Sequence, residues 1–95
     1  MDVIHDEKKQ EFKIDLDKSS SDKAYLTYEI KGDTIDFQHT YVPPNYRGKG
    51  LAEKLVLSAL DYVEKEKSIQ KITPSCSYVA KFLTHVPQYA RYLAK

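Results

Sequence analysis

Three stretches of the chain alternate apolar and polar residues. In residues 11–16, Phe12, Ile14 and Leu16 fall on one face. In 24–30, Leu26, Tyr28 and Ile30 face one way and Tyr25, Thr27 and Glu29 the other. In 34–42, the period of two puts Ile35, Phe37, His39 and Tyr41 together. Such alternation predicts strands with one buried face. Lys31-Gly32-Asp33 is a glycine turn suited to a hairpin. Residues 17–23, rich in serine and charge, read as a turn. Residues 1–10 are polar apart from Val3 and Ile4, and read as a lead-in or a short edge strand. The pattern predicts an antiparallel three-strand meander.

The period then changes. Ala52, Leu55, Val56, Ala59 and Val63 stand at offsets 0, 3, 4, 7 and 11, one face of an amphipathic helix predicted over about 48–67. Residues 71–73 form a short apolar-centred stretch. After a helix packed on the sheet, they return as a fourth strand parallel to the third. Val79, Phe82 and Leu83 predict a short helix over 77–83. Pro87 starts another, with Tyr89, Tyr92 and Leu93 inward. The fold class expected is α+β.

Between the third strand and the long helix lies Val42-Pro43-Pro44-Asn45-Tyr46-Arg47-Gly48-Lys49-Gly50-Leu51-Ala52. The first N–H groups of a helix have no partner within it, and the helix dipole makes that end positive. Glycines let an anion approach the backbone, and Arg47 and Lys49 add charge. These features predict a pyrophosphate cradle. No G-x-x-x-x-G-K-[ST] run exists, and Glu53 stands where a G-x-G-x-x-G loop needs its third glycine. The alternative is a tight turn that only starts a helix.

The Arg-Gly-x-Gly-x-Ala run after Val-Pro resembles the acyl-CoA-binding loop of the GNAT superfamily of N-acetyltransferases, whose pattern is Q/R-x-x-G-x-G/A. Asn45 departs from the usual first residue. His39-Thr40-Tyr41-Val42-Pro43 and Pro74-Ser75-Cys76-Ser77-Tyr78-Val79 resemble a subfamily of very small, stand-alone GNAT-like proteins. The resemblance covers residues 12–92 and implies a GNAT-like acyltransferase fold. It implies acetyl-CoA as cosubstrate, with Tyr41, Val42, Arg47, Gly48, Lys49, Gly50, Leu51 and Ala52 as its binding residues. It also implies a splay between the two parallel strands, near Val42 and Ser75, for the pantetheine arm.

The candidate catalytic residues are His39 and Cys76. Imidazole titrates near neutral pH and suits a general base for an amine acceptor. The alternative is a core-facing histidine in line with Ile35 and Phe37. Cys76 sits between two serines, just before a helix start, which favours a lowered pKa. Three roles stay open for it: an acetyl carrier activated by His39, a lining of the acetyl pocket, or a small buried hydrophobe. Tyr78 is the nearest candidate to protonate the leaving thiolate, at an unusual spacing. His5 and His85 are expected to face solvent.

Composition narrows the partners. At 95 residues the chain reads as one domain over residues 1–95. With 15 basic and 14 acidic residues, net charge is +1, which argues against a nucleic-acid partner. No apolar run suggests a membrane span or a secretion signal, so a cytoplasmic protein is expected. One cysteine and three scattered histidines give no metal-ligand spacing, so no metal is expected. The turn at 17–23 replaces the helices with which larger GNAT enzymes bind acceptor. A large acceptor, such as a protein amine, or a partner or second copy must then complete the site; oligomeric state stays open. The function expected is acetyl transfer from acetyl-CoA to an amine. The rivals are an acyl-CoA-binding module without efficient turnover and a small interaction domain.

Overall fold

The computed structural model describes residues 2–16 and 22–93. Five strands form one sheet in the order β1-β2-β3-β4-β5. They are β1 (Ile4–Asp6), β2 (Glu11–Asp15), β3 (Lys23–Lys31), β4 (Thr34–Tyr41) and β5 (Lys71–Thr73). The first four run antiparallel, and β5 lies parallel to β4. The α+β class and the parallel return strand follow the expectation. The meander gains a strand because Ile4–Asp6 pairs with β2 as an edge. Of the turn expected at 17–23, residues 17–21 lie outside the described residues, and Lys23 already opens β3.

Helix α1 (Leu51–Lys65) connects β4 to β5. Its buried residues are Leu51, Leu55, Val56, Ala59, Leu60 and Val63, one stripe that packs on β2 and β3. It is shorter at both ends than the expected 48–67. Gly48 and Gly50 lie in the left-handed region, outside helical geometry, and Glu66 is extended. Helix α2 (Ser77–Leu83) packs on β4 through a buried Val79 and Leu83. The last segment, Pro87–Tyr92, is a 3-10 helix that buries Tyr92, whereas Leu93, expected inward, is 38% exposed.

The core forms where the strand alternation meets these helices. Phe12, Ile14, Ala24, Leu26, Tyr28, Ile35, Phe37 and Ile72 are buried on the face that α1 and α2 cover. The alternate positions on β3 and β4, among them Tyr25, Thr27, Glu29 and Asp36, are only half-buried. Glu11 is buried and ion-paired to Lys23 at 3.0 Å. No helix among the described residues is long and apolar enough to cross a membrane.

His5 corrects the expectation of a solvent-facing lead-in. It pairs with Phe12 across β1 and β2, and its ring stacks on Phe12 at 4.0 Å between centroids. Its Nε2 hydrogen-bonds the Tyr28 hydroxyl at 2.6 Å, and Tyr62 of α1 meets its ring edge-on. Burial lowers its pKa, opposed by the carboxylates of Glu7 and Asp6. His85 is exposed, as expected.

Candidate functional site

The site begins with an irregularity in β4. Tyr28 pairs with Phe37, but Thr27 pairs with His39, so Gln38 is an extra residue on β4. Two residues opposing one make a β-bulge. The bulge reverses the alternation beyond it. Phe37, opposite Tyr28, points into the core; Thr40, opposite Leu26, shares that face. His39 and Tyr41, opposite Thr27 and Tyr25, point to the other face. Gln38 points there too, its Nε2 reaching Glu29 Oε1 at 3.5 Å. The expected face of Ile35, Phe37, His39 and Tyr41 is therefore broken after Phe37. His39 is exposed and is no core histidine.

The parallel pair parts at the same level. β5 matches β4 over Thr34–Asp36 only, and the Cys76 N–H donates to the Phe37 carbonyl at 2.8 Å. Beyond that bond the chain turns into α2, while β4 runs on to Tyr41. The splay expected near Val42 and Ser75 thus opens before Val42 on β4, at Phe37, and just past Ser75 on the other segment, at Cys76.

The loop after β4 is set by its own chemistry. Pro44–Tyr46 forms a 3-10 turn, with the Tyr46 N–H donating to the Pro43 carbonyl at 2.9 Å. Arg47 Nε donates to the Val42 carbonyl at 2.9 Å and ties the loop to the strand end. Val42, expected to offer its backbone to a pantetheine amide, already accepts that bond. Lys49 Nζ lies 5.8 Å from the Tyr46 ring centroid, a cation–π contact. Gly48 and Gly50 have φ of +81° and +79°, which residues with a Cβ rarely adopt. A Cβ at either would meet nothing within 4 Å, so open space lies above both. Gly50 stands at the N-cap of α1 and has no side chain with which to cap the helix. The first amides of α1 thus lack an N-cap side chain, at the positive end of the helix. These residues fit a diphosphate.

A groove of about 530 Å³ runs from this loop toward α2. Of the expected binding residues, Tyr41, Val42, Arg47, Gly48, Gly50, Leu51 and Ala52 line it; Lys49 does not. Thr40, Tyr46, Glu53 and Phe82, none of them among the expected binding residues, also line it, and Tyr78 joins them. Phe82 was legible as the residue four places after Tyr78 on the same helix. Thr40 was hidden by the bulge. Burial, then the nearby Glu53 carboxylate, pushes the Tyr78 phenol up and holds it protonated.

Cys76 stands just behind the groove wall, half-buried, with its Sγ 3.3 Å from Thr40 Oγ1. Burial alone would push its thiol up. Hydrogen bonding to the Thr40 hydroxyl and to backbone groups of Val79, Tyr78 and Thr40 outweighs that and brings it below the ordinary thiol value. The hydroxyl comes from β4, not from the flanking serines. The two candidate catalytic residues are not brought to one face: the thiol meets Thr40, and His39 points away from Thr40.

A five-strand α+β sheet that splays beside a glycine-opened helix defines an acyltransferase-like architecture. The chain belongs to the GCN5-related N-acetyltransferase family, whose model matches residues 11–92. It is 42% identical over 94 residues to Protein NATD1 of Danio rerio, covering 98% of this chain and 82% of that protein. To Protein NATD1 of Homo sapiens it is 40% identical over 90 residues, covering 92% of this chain and 77% of that one. A GCN5-like protein of Staphylococcus aureus, known from an NMR solution structure, superposes with a TM-score of 0.67 over 97% of this chain and 86% of its own. At 22% identity, that likeness concerns the fold.

Proposed function

We propose that the protein transfers an acetyl group from acetyl-CoA to an amine on a protein or another large acceptor. The observation that carries this is the start of α1: begun without an N-cap side chain, preceded by two left-handed glycines, and opening into a groove that leads to Thr40 and Tyr78 beside Cys76. Amides of residues 47–52 bind the diphosphate, with Arg47 adding charge. Tyr41 and Val42 flank the pantetheine arm. The thioester end points along β4 toward Cys76.

Bound acetyl-CoA supplies an activated acyl group. The acceptor nitrogen forms the new bond to the acyl carbon as the carbon–sulfur bond breaks, and the nitrogen gives up a proton. His39, exposed on the opposite face, takes that proton only from an acceptor lying across that face. Tyr78, held protonated, suits the return of a proton to the departing CoA thiolate. A reduced free thiol fits a cytoplasmic setting.

The separation of His39 from Cys76 favours a second reading, an acyl-CoA-binding module without efficient turnover. Incubation with acetyl-CoA and a panel of amines and lysine-bearing proteins, followed by thiol release, separates the two. Steady CoA release that His39→Ala lowers at least tenfold supports the transferase. Saturable binding of acetyl-CoA with no release under any acceptor contradicts it.

A further inference from the structure

We propose that Thr40 is a positioning residue for Cys76: its hydroxyl donates to Sγ and orients the sulfur behind the groove wall, and His39 takes no part in activating it. The bulge at Gln38 makes this possible. A regular β4 would put His39 on the helix-covered face and Thr40 away from it. The extra residue reverses that order and sets Thr40 Oγ1 3.3 Å from the sulfur. The Cys76 N–H, bonded to the Phe37 carbonyl at 2.8 Å, fixes the thiol's backbone to the strand that carries Thr40.

Hydrogen-bond donors do here what a neighbouring cation does in a Cys–His pair. On ionisation the thiol proton leaves to solvent, and the negative sulfur keeps its donors. Of the ionisable side chains that line the groove, Tyr78 of α2 is held neutral, Glu53 of α1 is acidic, Tyr41 and Tyr46 are phenols, and the cation, Arg47, turns its Nε to the Val42 carbonyl. No neighbouring charge contributes to the lowering of the thiol. The low thiol value therefore rests on hydrogen bonds, with Thr40 the side chain among them.

Assigning this thiolate to the acetyl end rests on the proposed function; the hydrogen bond does not. The test reads alkylation of Cys76 by iodoacetamide against pH, where the thiolate displaces iodide. Thr40→Val should raise the midpoint by about one pH unit and slow alkylation below it roughly tenfold, the loss of one charge-assisted bond. Thr40→Ser should restore the profile, and His39→Ala should leave it unchanged. A Thr40→Val profile that overlays the wild type, a Thr40→Ser profile that fails to recover, or a midpoint shift in His39→Ala overturns the proposal. Dispersed amide spectra establish that each variant is folded. Should Thr40→Val not fold, Thr40→Ala replaces it, and His39→Ala still tests the second half. Turnover is not read, so a protein that binds CoA without transferring acetyl gives the same profiles. Loss of CoA binding with these profiles intact would remove the proposed function and leave Thr40's role standing.

Discussion

His5 shows how much one residue's environment alters its meaning. In sequence it sits in a polar lead-in; in the fold it stacks on Phe12, bonds the Tyr28 hydroxyl and meets Tyr62. Burial lowers its pKa from 6.5, so the unfolded chain holds its proton at pH values where the folded protein has lost it. Stability is then fully present above the unfolded value and declines as pH falls through it toward the lower folded value. Melting temperature should drop between pH 7.5 and about pH 5, and His5→Phe, which keeps the stack, should flatten that drop. An equally steep profile in the variant would assign the pH dependence elsewhere. The same cluster holds the Tyr28 phenol up to about 12, through burial first and then the neighbouring Tyr62, Glu7 and Asp6.

At the scale of elements, the alternations of β2 and β3 and the stripe of α1 were legible because each buries one face against a single partner layer. The parallel return of β5 followed from the helix between it and β4. The bulge at Gln38 was not legible. Residues 34–37 alternate, but Gln38-His39-Thr40 is polar throughout, so no period fixes the faces there, and a glutamine looks the same whether it continues a strand or adds to it. Only pairing with β3 reveals the extra residue, and with it the face of His39, Thr40 and Tyr41. The glycine loop was legible in composition and misplaced in boundary. Glycines suited to a helix start instead lie before it, in left-handed geometry. That placement is testable. Gly50→Ala meets no steric obstacle, so its cost is conformational, about 1–2 kcal/mol by urea denaturation. Its CoA affinity should fall as well, since the strained residue caps the helix whose amides bind the diphosphate. A neutral effect on both would mean the loop's geometry carries neither stability nor ligand.

For the whole molecule, family membership and the sheet's splay agree with each other, and the proposed chemistry draws on both. The candidate binding loop could be read from the chain because its signal is local: glycines, cations and a helix behind them. The catalytic end could not, because it depends on which faces of β4 and α2 come together. Thr40 and Cys76 are 36 positions apart and meet only through the fold. His39 and Cys76, paired by motif, are separated by it.

The proposed chemistry requires the start of α1 to receive the diphosphate of CoA. An amide NMR titration with CoA reads that contact residue by residue. The largest shifts are expected at residues 48–55, with a second group near Cys76, and none of comparable size with NAD or ATP. Shifts confined to other residues, or an unchanged spectrum at millimolar CoA, would contradict it.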